Sequence, residues 1–315
     1  MIAIAAVLWA LVIAALAFVF YVRYVEPARI VVTEQTVHLR DLPEALRGLR
    51  IVHLSDFHCH DEPAIEWSSR EAVRLAMEQR PDLIAISGDL FDTCEMAGRC
   101  ADQLDGLEAP LGVWAVPGNH DRAHDDPFMC LEAPAEDVEM LREVLAERGI
   151  RLLANENERI GADGAEIAIA GSDEYAFGRD DVARALSGTA DADVVILLCH
   201  TPDLLDDPHV SGADLLLCGH THGGQIQLPG IGAPWAPVWR DRRRASGLLS
   251  ADGLLAYVSR GVASATRARF NCPPEVAVLT LESGEETEAR EVPVRRDGAL
   301  ACSTSSREAL EEVVS

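Results

Sequence analysis

Five short apolar runs, at residues 50–55, 82–87, 112–117, 194–199 and 213–218, are each followed at once by polar, ligand-type side chains. No other feature narrows the choice of fold as far. In chain order the clusters are Asp56-Phe57-His58, Gly88-Asp89-Leu90-Phe91-Asp92, Gly118-Asn119-His120-Asp121, His200 and Gly219-His220-Thr221-His222. Short apolar runs bounded by glycine read as buried strands. Helical periodicity predicts helices over 66–79, 136–148 and 181–186 and a weaker one over 97–107, with further strands at 151–153, 166–170, 254–258 and 275–281. Alternating strands and helices imply a layered α/β sheet. Ligands of such sheets bind beyond the carboxyl ends of the strands. Five strand ends would therefore deliver carboxylates, imidazoles and one amide to a single crevice.

The donor types narrow the chemistry. Neutral imidazole and carboxylate suit divalent transition metals, whereas a structural zinc site favours cysteine and a closed shell. His220 and His222 stand at i and i+2, and extended backbone would point both to one face. Each piece alone has a plainer reading. Asp56 and Asp89 could be turn or cap residues, Asn119 a tight turn after Pro117-Gly118, and the histidines hydrogen-bonded loop residues. All of these would have to hold together at five strand ends, which leaves many ionisable groups without partners. His53 reads as a satisfied core residue and His60 and His124 as solvent-facing loop residues. Cys59 reads as packing and Asp121 as a loop brace.

Composition excludes other classes. The 315 residues suffice for one large core. A net charge of −25 argues against a nucleic-acid-coating surface. The eight cysteines contain no Cys-x-x-Cys, and Cys199 and Cys218 lie in apolar runs, which argues against a disulfide framework and for a reducing compartment.

Residues 1–22 carry no charged side chain. As a helix they would span about 33 Å, enough for a hydrocarbon core of about 30 Å. Trp9 lies inside, and Tyr21 and Tyr24 sit at the end, where aromatic belts form. Arg23, Arg29, Arg40, Arg47 and Arg50 all follow the segment, so the positive-inside rule places the rest of the chain in the cytoplasm. A cleaved signal peptide is the competing reading, because Ala15-Leu16-Ala17 looks like a cleavage site. The missing basic n-region and the apolar residues beyond that site favour an anchor. The expected layout is an anchor at 1–24, a polar connector with a short strand near 30–33 at 25–48, a catalytic domain at 49–282, and an acidic tail at 283–315 with one helix near 307–314.

The series Asp-x-His, Gly-Asp-x-x-Asp, Gly-Asn-His-Asp, His, Gly-His-x-His resembles the calcineurin-like metallophosphoesterase superfamily over roughly residues 49–282. Gly219 to Gln225 and Arg269-Phe270-Asn271-Cys272-Pro273-Pro274-Glu275 also resemble its membrane-anchored bacterial-type branch, some members of which act on lipid-linked phosphates. The resemblance implies a two-sheet α/β β-sandwich flanked by helices, here preceded by one transmembrane helix. It implies two divalent metals, manganese, iron or zinc, with Asp56, His58 and His222 on one and Asn119, His200 and His220 on the other, bridged by Asp89. His120 would assist the leaving group and Asp92 would orient His120, while metal-activated hydroxide attacks phosphorus. The implied function is hydrolysis of a phosphodiester or pyrophosphate, on a lipid-linked substrate such as a UDP-diacylglucosamine. The alternatives are a broad phosphomonoesterase or phosphodiesterase and a non-catalytic metal-binding membrane scaffold. The intact His120 and Asp92 argue against the scaffold.

One further stretch, 228–244, places Trp235 and Trp239 among prolines, followed by Arg240, Arg242, Arg243 and Arg244. Proline excludes a helix interior there. The segment is expected to form a flap whose tryptophans meet lipid and whose arginines, Arg242 and Arg243 among them, engage phosphate. A loop packed on the body with solvated arginines is the plainer alternative.

Overall fold

The computed structural model describes residues 2–124, 131–132, 135–238, 241–263, 266–284 and 289–292. Helix α1 (Ile2–Phe20) continues as a π-helical turn to Val25, and this 24-residue unit is long and apolar enough to cross a membrane. None of α1 is buried against the rest of the chain. Its leucines, isoleucines and phenylalanines are exposed on every side, as a segment needs if lipid is its solvent.

Beyond it lie two sheets. The first has the order β1 (Val31–Leu39), β14 (Glu275–Ser283), β2 (Arg50–Leu54), β3 (Leu83–Ile86), β4 (Val113–Ala115), β7 (Ile150–Leu152). Strands β2, β3, β4 and β7 run parallel, β14 is antiparallel to β2, and β1 pairs in parallel with β14 over nine residues. The second has the order β15 (Arg290–Glu291), β12 (Gly247–Ala251), β13 (Leu254–Val258), β11 (Leu215–Cys218), β10 (Val194–Leu198), β9 (Ala165–Gly171), β8 (Glu156–Ala162). In it β13, β11, β10 and β9 are parallel and β8 and β12 are antiparallel edges of that block. A two-stranded ribbon, β5 (Ala123–His124) with β6 (Leu131–Glu132), stands apart.

Period-two alternation builds the layers. Along β10, Val194, Ile196 and Leu198 face the first sheet, whereas Leu197 faces outward. Likewise Leu215 and Leu217 of β11 meet Ile51, Leu83, Trp114 and Leu279 between the sheets, and Leu216 points to the other face. The outer face of the first sheet is covered by α2 (Pro63–Glu78), α3 (Ala97–Cys100) with a 3-10 extension to Leu104, and α4 (Ala135–Ala146). The outer face of the second is covered by α5 (Val182–Ala185) and 3-10 turns at Pro202–Asp206 and Pro208–Gly212. The result is the two-sheet α/β sandwich expected from the sequence.

Several local expectations shift. Residues 25–48 are more than a polar connector, because β1 supplies the edge of the first sheet. The stretch after residue 283 includes β15 and buries Val292, so part of the expected tail belongs to the second sheet. The helix expected near 307–314 lies outside the described residues. Cys59, Cys100, Cys199, Cys218 and Cys272 are buried free thiols.

Candidate metal centre

The five strand ends converge as the sequence implies. Asp56 and His58 follow β2, Asp89 follows β3, Asn119 and His120 follow β4, His200 follows β10, and His220 and His222 follow β11. Three overlapping groups have ligand atoms within 4.8 Å of one another: Asp56, His58 and His222; His58, Asp89 and His120; Asp89, His200 and His220. All lie at one end of the sandwich and are buried or half-buried.

The backbone reaches this arrangement through a series of left-handed residues. Asp56, His58, Asp89, His220 and His222 have φ values of 55, 47, 51, 68 and 49°. Such conformations are uncommon for residues with a Cβ and persist where the surroundings over-determine them. They overturn one step of the sequence argument. His220 and His222 do not share a face of extended backbone; His222 opens a 3-10 turn, and the two rings belong to different groups. Cys59 is a packing residue on different grounds too. It is fully buried with Sγ 3.5 Å from Ser69 Oγ.

Close backbone approach explains two of the glycines. A Cβ on Gly118 would stand 2.2 Å from Asp89 Oδ1, and one on Gly219 would stand 1.8 Å from Ser55 Oγ and 2.6 Å from Asp56 Oδ2. Only glycine lets these turns lie against the carboxylates.

Three of the imidazoles are held through one nitrogen, which leaves the other aimed inward. His200 Nδ1 lies 2.7 Å from Ser87 O, His222 Nδ1 3.0 Å from Ala263 O, and His58 Nδ1 3.2 Å from Asp92 Oδ1. Such outer partners fix ring orientation and tautomer in metal sites. The inward atoms are crowded with lone pairs. His200 Nε2 is 3.1 Å from Asp89 Oδ2, 3.2 Å from Asn119 Oδ1 and 3.2 Å from His220 Nδ1. His58 Nε2, 3.6 Å from the same Asp89 oxygen, is buried and has no hydrogen-bond partner. A buried donor set of this kind, with an orphaned imidazole nitrogen, is what bound cations satisfy.

Burial and the neighbouring His200 push His220 down to about 3, and burial with His58 and Arg269 holds His222 well below the usual imidazole range. Both therefore present lone pairs near neutrality. Burial works against ionising Asp89, but His200, His120 and His58 outweigh it and hold the carboxyl well below its usual range.

His120 sits at the rim with 14% of its side chain exposed. Its main-chain N–H donates to Asp89 Oδ1 at 2.9 Å, and its Nδ1 is 3.1 Å from the carbonyl of Asp92. The Asp92 carboxylate is nearer His58 than His120, at 3.2 against 3.6 Å. Asp92 thus touches His120 mainly through its backbone. Asp121 accepts from the N–H groups of Leu90, Phe91 and Gly118, which ties two strand-end loops together. His60 is half-buried against His58 O rather than free in solvent. His53 is bonded to Ser87 Oγ through Nε2 only, and its Nδ1 has no partner.

Around the centre stand residues that the sequence reading passed over. Asp173 and Glu174 follow β9, a sixth strand end in the same sheet. Asp173 forms a buried ion pair with Arg122, and Glu174 keeps a buried, unpartnered Oε2, its carboxyl pushed by burial to about 7. Arg269 is also fully buried and donates to the carbonyls of Arg260, Cys272 and Ala263. The expected signal existed for Asp173 and Glu174, since a strand was predicted just before them.

The flap residues are distributed unevenly. Trp235 is 66% exposed, and its carbonyl lies where a Cβ on Gly224 would be, 2.5 Å away, so this loop abuts the His222 turn. Thr221, between the two histidines, donates to Ala245 O at 2.6 Å and ties the arginine turn to the same place. Arg242 is exposed, Arg243 pairs with Asp241, and Arg244 is buried against Asp206 rather than solvated. Trp239 and Arg240 lie outside the described residues, as does the side chain of His124.

Comparison with known proteins agrees with this geometry. The family model of calcineurin-like phosphoesterases matches residues 49–224. The chain is 32% identical to an uncharacterized metallophosphoesterase of Bacillus subtilis, YkuE, over 84% of this chain and 89% of that one. It is 32% identical to the phosphodiesterase YaeI of Escherichia coli, over 74% and 82%. It is 25% identical to the UDP-2,3-diacylglucosamine pyrophosphatase LpxG of Chlamydia trachomatis, over 82% and 91%. The chain belongs to the calcineurin-like phosphoesterase family and is a metal-dependent hydrolase of phosphoric esters or anhydrides.

Proposed function

We propose that this hydrolase cleaves a phosphodiester or pyrophosphate bond of a lipid-linked substrate at a pair of divalent metals. One observation carries the two-metal reading: Asp89 Oδ2 faces both His58 Nε2 and His200 Nε2, at 3.6 and 3.1 Å. A single carboxylate between two donor groups is the bridging arrangement such a centre requires. Asp56, His58 and His222 would hold one ion and Asn119, His200 and His220 the other. Manganese, iron and zinc all suit imidazole with carboxylate.

When bound, the ions supply Lewis acidity and bring the pKa of water into the neutral range. The chain does the rest. Asp89 and Asp56 balance the cationic charge, and main-chain N–H groups of His120 and His220 hold these carboxylates in place. His120, exposed at the rim, is placed to stabilise or protonate the leaving oxygen. Its Nδ1 is engaged by Asp92 O, which leaves Nε2 for the substrate. Arg242 and Arg243 would meet the non-reacting phosphate, and Trp235 with Trp239 an acyl chain.

The lipid-linked substrate is supported by the apolar helix and by the name of one relative, the pyrophosphatase LpxG. The reading includes a single-pass anchor in the cell membrane with the catalytic domain in the cytoplasm, because the arginines follow the helix.

The test is to assay the full chain in nanodiscs with Mn²⁺ on a soluble activated phosphodiester and on a UDP-diacylglucosamine. Asp89→Asn should lose both metal and turnover. His120→Ala should keep metal and lose turnover by about 10²–10⁴-fold, the usual share of general acid catalysis. Turnover of the soluble ester with none of the lipid pyrophosphate would favour the broad phosphodiesterase. Undiminished turnover in His120→Ala would remove that residue from the mechanism.

A further inference from the structure

The end of the apolar helix, α2, Ala263 and the loop 266–274 enclose a cleft of about 270 Å³, distinct in character from the metal crevice. Among the described residues, Arg23, Arg267 and Arg269 are the only ionised side chains lining it, and Tyr24 and Trp67 flank them. Of the acids nearby, Glu62 pairs with Arg267, and buried Glu26 accepts from the N–H of Cys272 through Oε1 while its Oε2 has no hydrogen-bond partner, so three guanidinium charges stand against two carboxylates. Arg23 gives Nη1 to the carbonyl of Thr266, and Arg269 gives its guanidinium to three carbonyls, none of which neutralises a charge.

We propose that this cleft binds the phosphate of an anionic phospholipid headgroup from the membrane that α1 enters. Three observations converge. Guanidinium groups are the preferred partners of phosphate, and here three share one small cavity. The cavity stands where headgroups would stand: Arg23 and Tyr24 are in the last turn of the 24-residue apolar unit. Tyr24 and Trp67, 60% and 48% exposed, form the aromatic pair expected at an interface. Lastly, the volume lies just under the roughly 300 Å³ at which drug-sized pockets begin, which suits a headgroup and not a whole nucleotide-linked lipid.

Charge strengthens the case. The chain carries a net −25 and repels an anionic bilayer over most of its surface, so a local group of cations is needed where it meets one. Burial lowers the Arg267 guanidinium, and Arg23 lowers it further. An anion between these two arginines relieves that repulsion. The cleft also shares a wall with the metal centre, because Ala263 lines it and its carbonyl holds both His222 Nδ1 and Arg269 Nη2. A bound headgroup would therefore steady the loop that orients His222.

The experiment is native mass spectrometry of the detergent-purified full chain, titrated with phosphatidylglycerol, phosphatidylcholine and inorganic phosphate. The wild type should retain one phosphatidylglycerol about tenfold or more better than phosphatidylcholine, and Arg23→Gln with Arg267→Gln should remove that preference. Metal content and melting temperature report folding, and Arg23→Gln alone, which leaves the Glu62 pair intact, should lose a large part of the preference by itself. Equal retention of the two lipids, or retention unchanged in both variants, overturns the proposal. If inorganic phosphate displaces the lipid at equal concentration, the site serves a soluble anion and the lipid assignment falls.

Discussion

Replacing Gly219 by alanine separates the two things this turn does. The new Cβ would lie 1.8 Å from Ser55 Oγ and 2.6 Å from Asp56 Oδ2, and both neighbours must move. Displacing Ser55 breaks its 3.2 Å bond to Ser87 O, worth about 1 kcal/mol. Overpacking a closed interior adds about 1–3 kcal/mol. The sum, about 2–4 kcal/mol, corresponds to a fall in Tm on the order of 10 °C for a domain of this size. Moving Asp56 has a different consequence, because its carboxylate accepts from the N–H of His220 at 3.1 Å and lies 3.6 Å from His222 Nε2. Disturbing a ligand or its support typically costs 10–100-fold in metal affinity. Thermal melts and metal titration followed by elemental analysis read the two effects separately. Adding Ser55→Ala should restore part of the lost Tm and none of the lost metal affinity. A Gly219→Ala protein that melts and binds metal like the wild type would refute the close-approach argument.

Three other outcomes follow from buried groups. His53 is held near 3 by burial, so the unfolded chain takes up a proton below about 6.5 that the folded chain refuses. Its contribution is lost as pH falls from about 6.5 towards 3, whereas Asp121 and Glu174, raised to about 7 by burial, oppose it by adding stability as pH falls below 7. Replacing His53 by Gln should therefore flatten the acid limb of denaturation midpoints by close to one proton, and an unchanged slope would count against a neutral His53. Arg122→Leu should cost about 3–5 kcal/mol by chemical denaturation, because it leaves Asp173 buried without its cation; a loss under about 1 kcal/mol would mean that water reaches the pair. Chelation should lower Tm, since ions at a hundredfold excess over Kd stabilise the folded state by about 2.7 kcal/mol; an equal Tm with and without chelator would argue against tight sites.

The centre was legible because its residues lie next to strands that declare themselves. Runs such as 194–199 are apolar on both faces, and the ligand follows at once. What misled was geometry within the motif. The i, i+2 rule for His220 and His222 presumes extended backbone, and φ values of 68 and 49° place them in a left-handed turn instead. Strand β8 escaped notice because its solvent face leaves only weak apolar alternation. Strand β12 had a usable signal, since Asp252-Gly253, both at positive φ, is a two-residue hairpin turn before β13. Ala263 and Glu26 could not have been found by pattern, and Arg269 stood in a recognised motif without a role. Their roles come from tertiary contacts, at the extreme between segments 246 residues apart, where the N–H of Cys272 donates to Glu26.

The short link between the apolar helix and the first strand has a kinetic consequence. Only residues 26–30 separate Val25 from β1, a reach of at most about 20 Å even if fully stretched. The link is shortened further by bonds from Arg269 N to Val22 O and from Cys272 N to Glu26. With α1 in a bilayer, the catalytic crevice is confined to a thin slab of space beside the surface. For the lipid-linked substrate proposed above, encounter then becomes a two-dimensional search. Its rate is set by the number of molecules per unit area of membrane, and bulk concentration drops out. Diluting the same proteoliposomes would leave turnover unchanged, whereas diluting the substrate lipid within the bilayer would slow it in proportion.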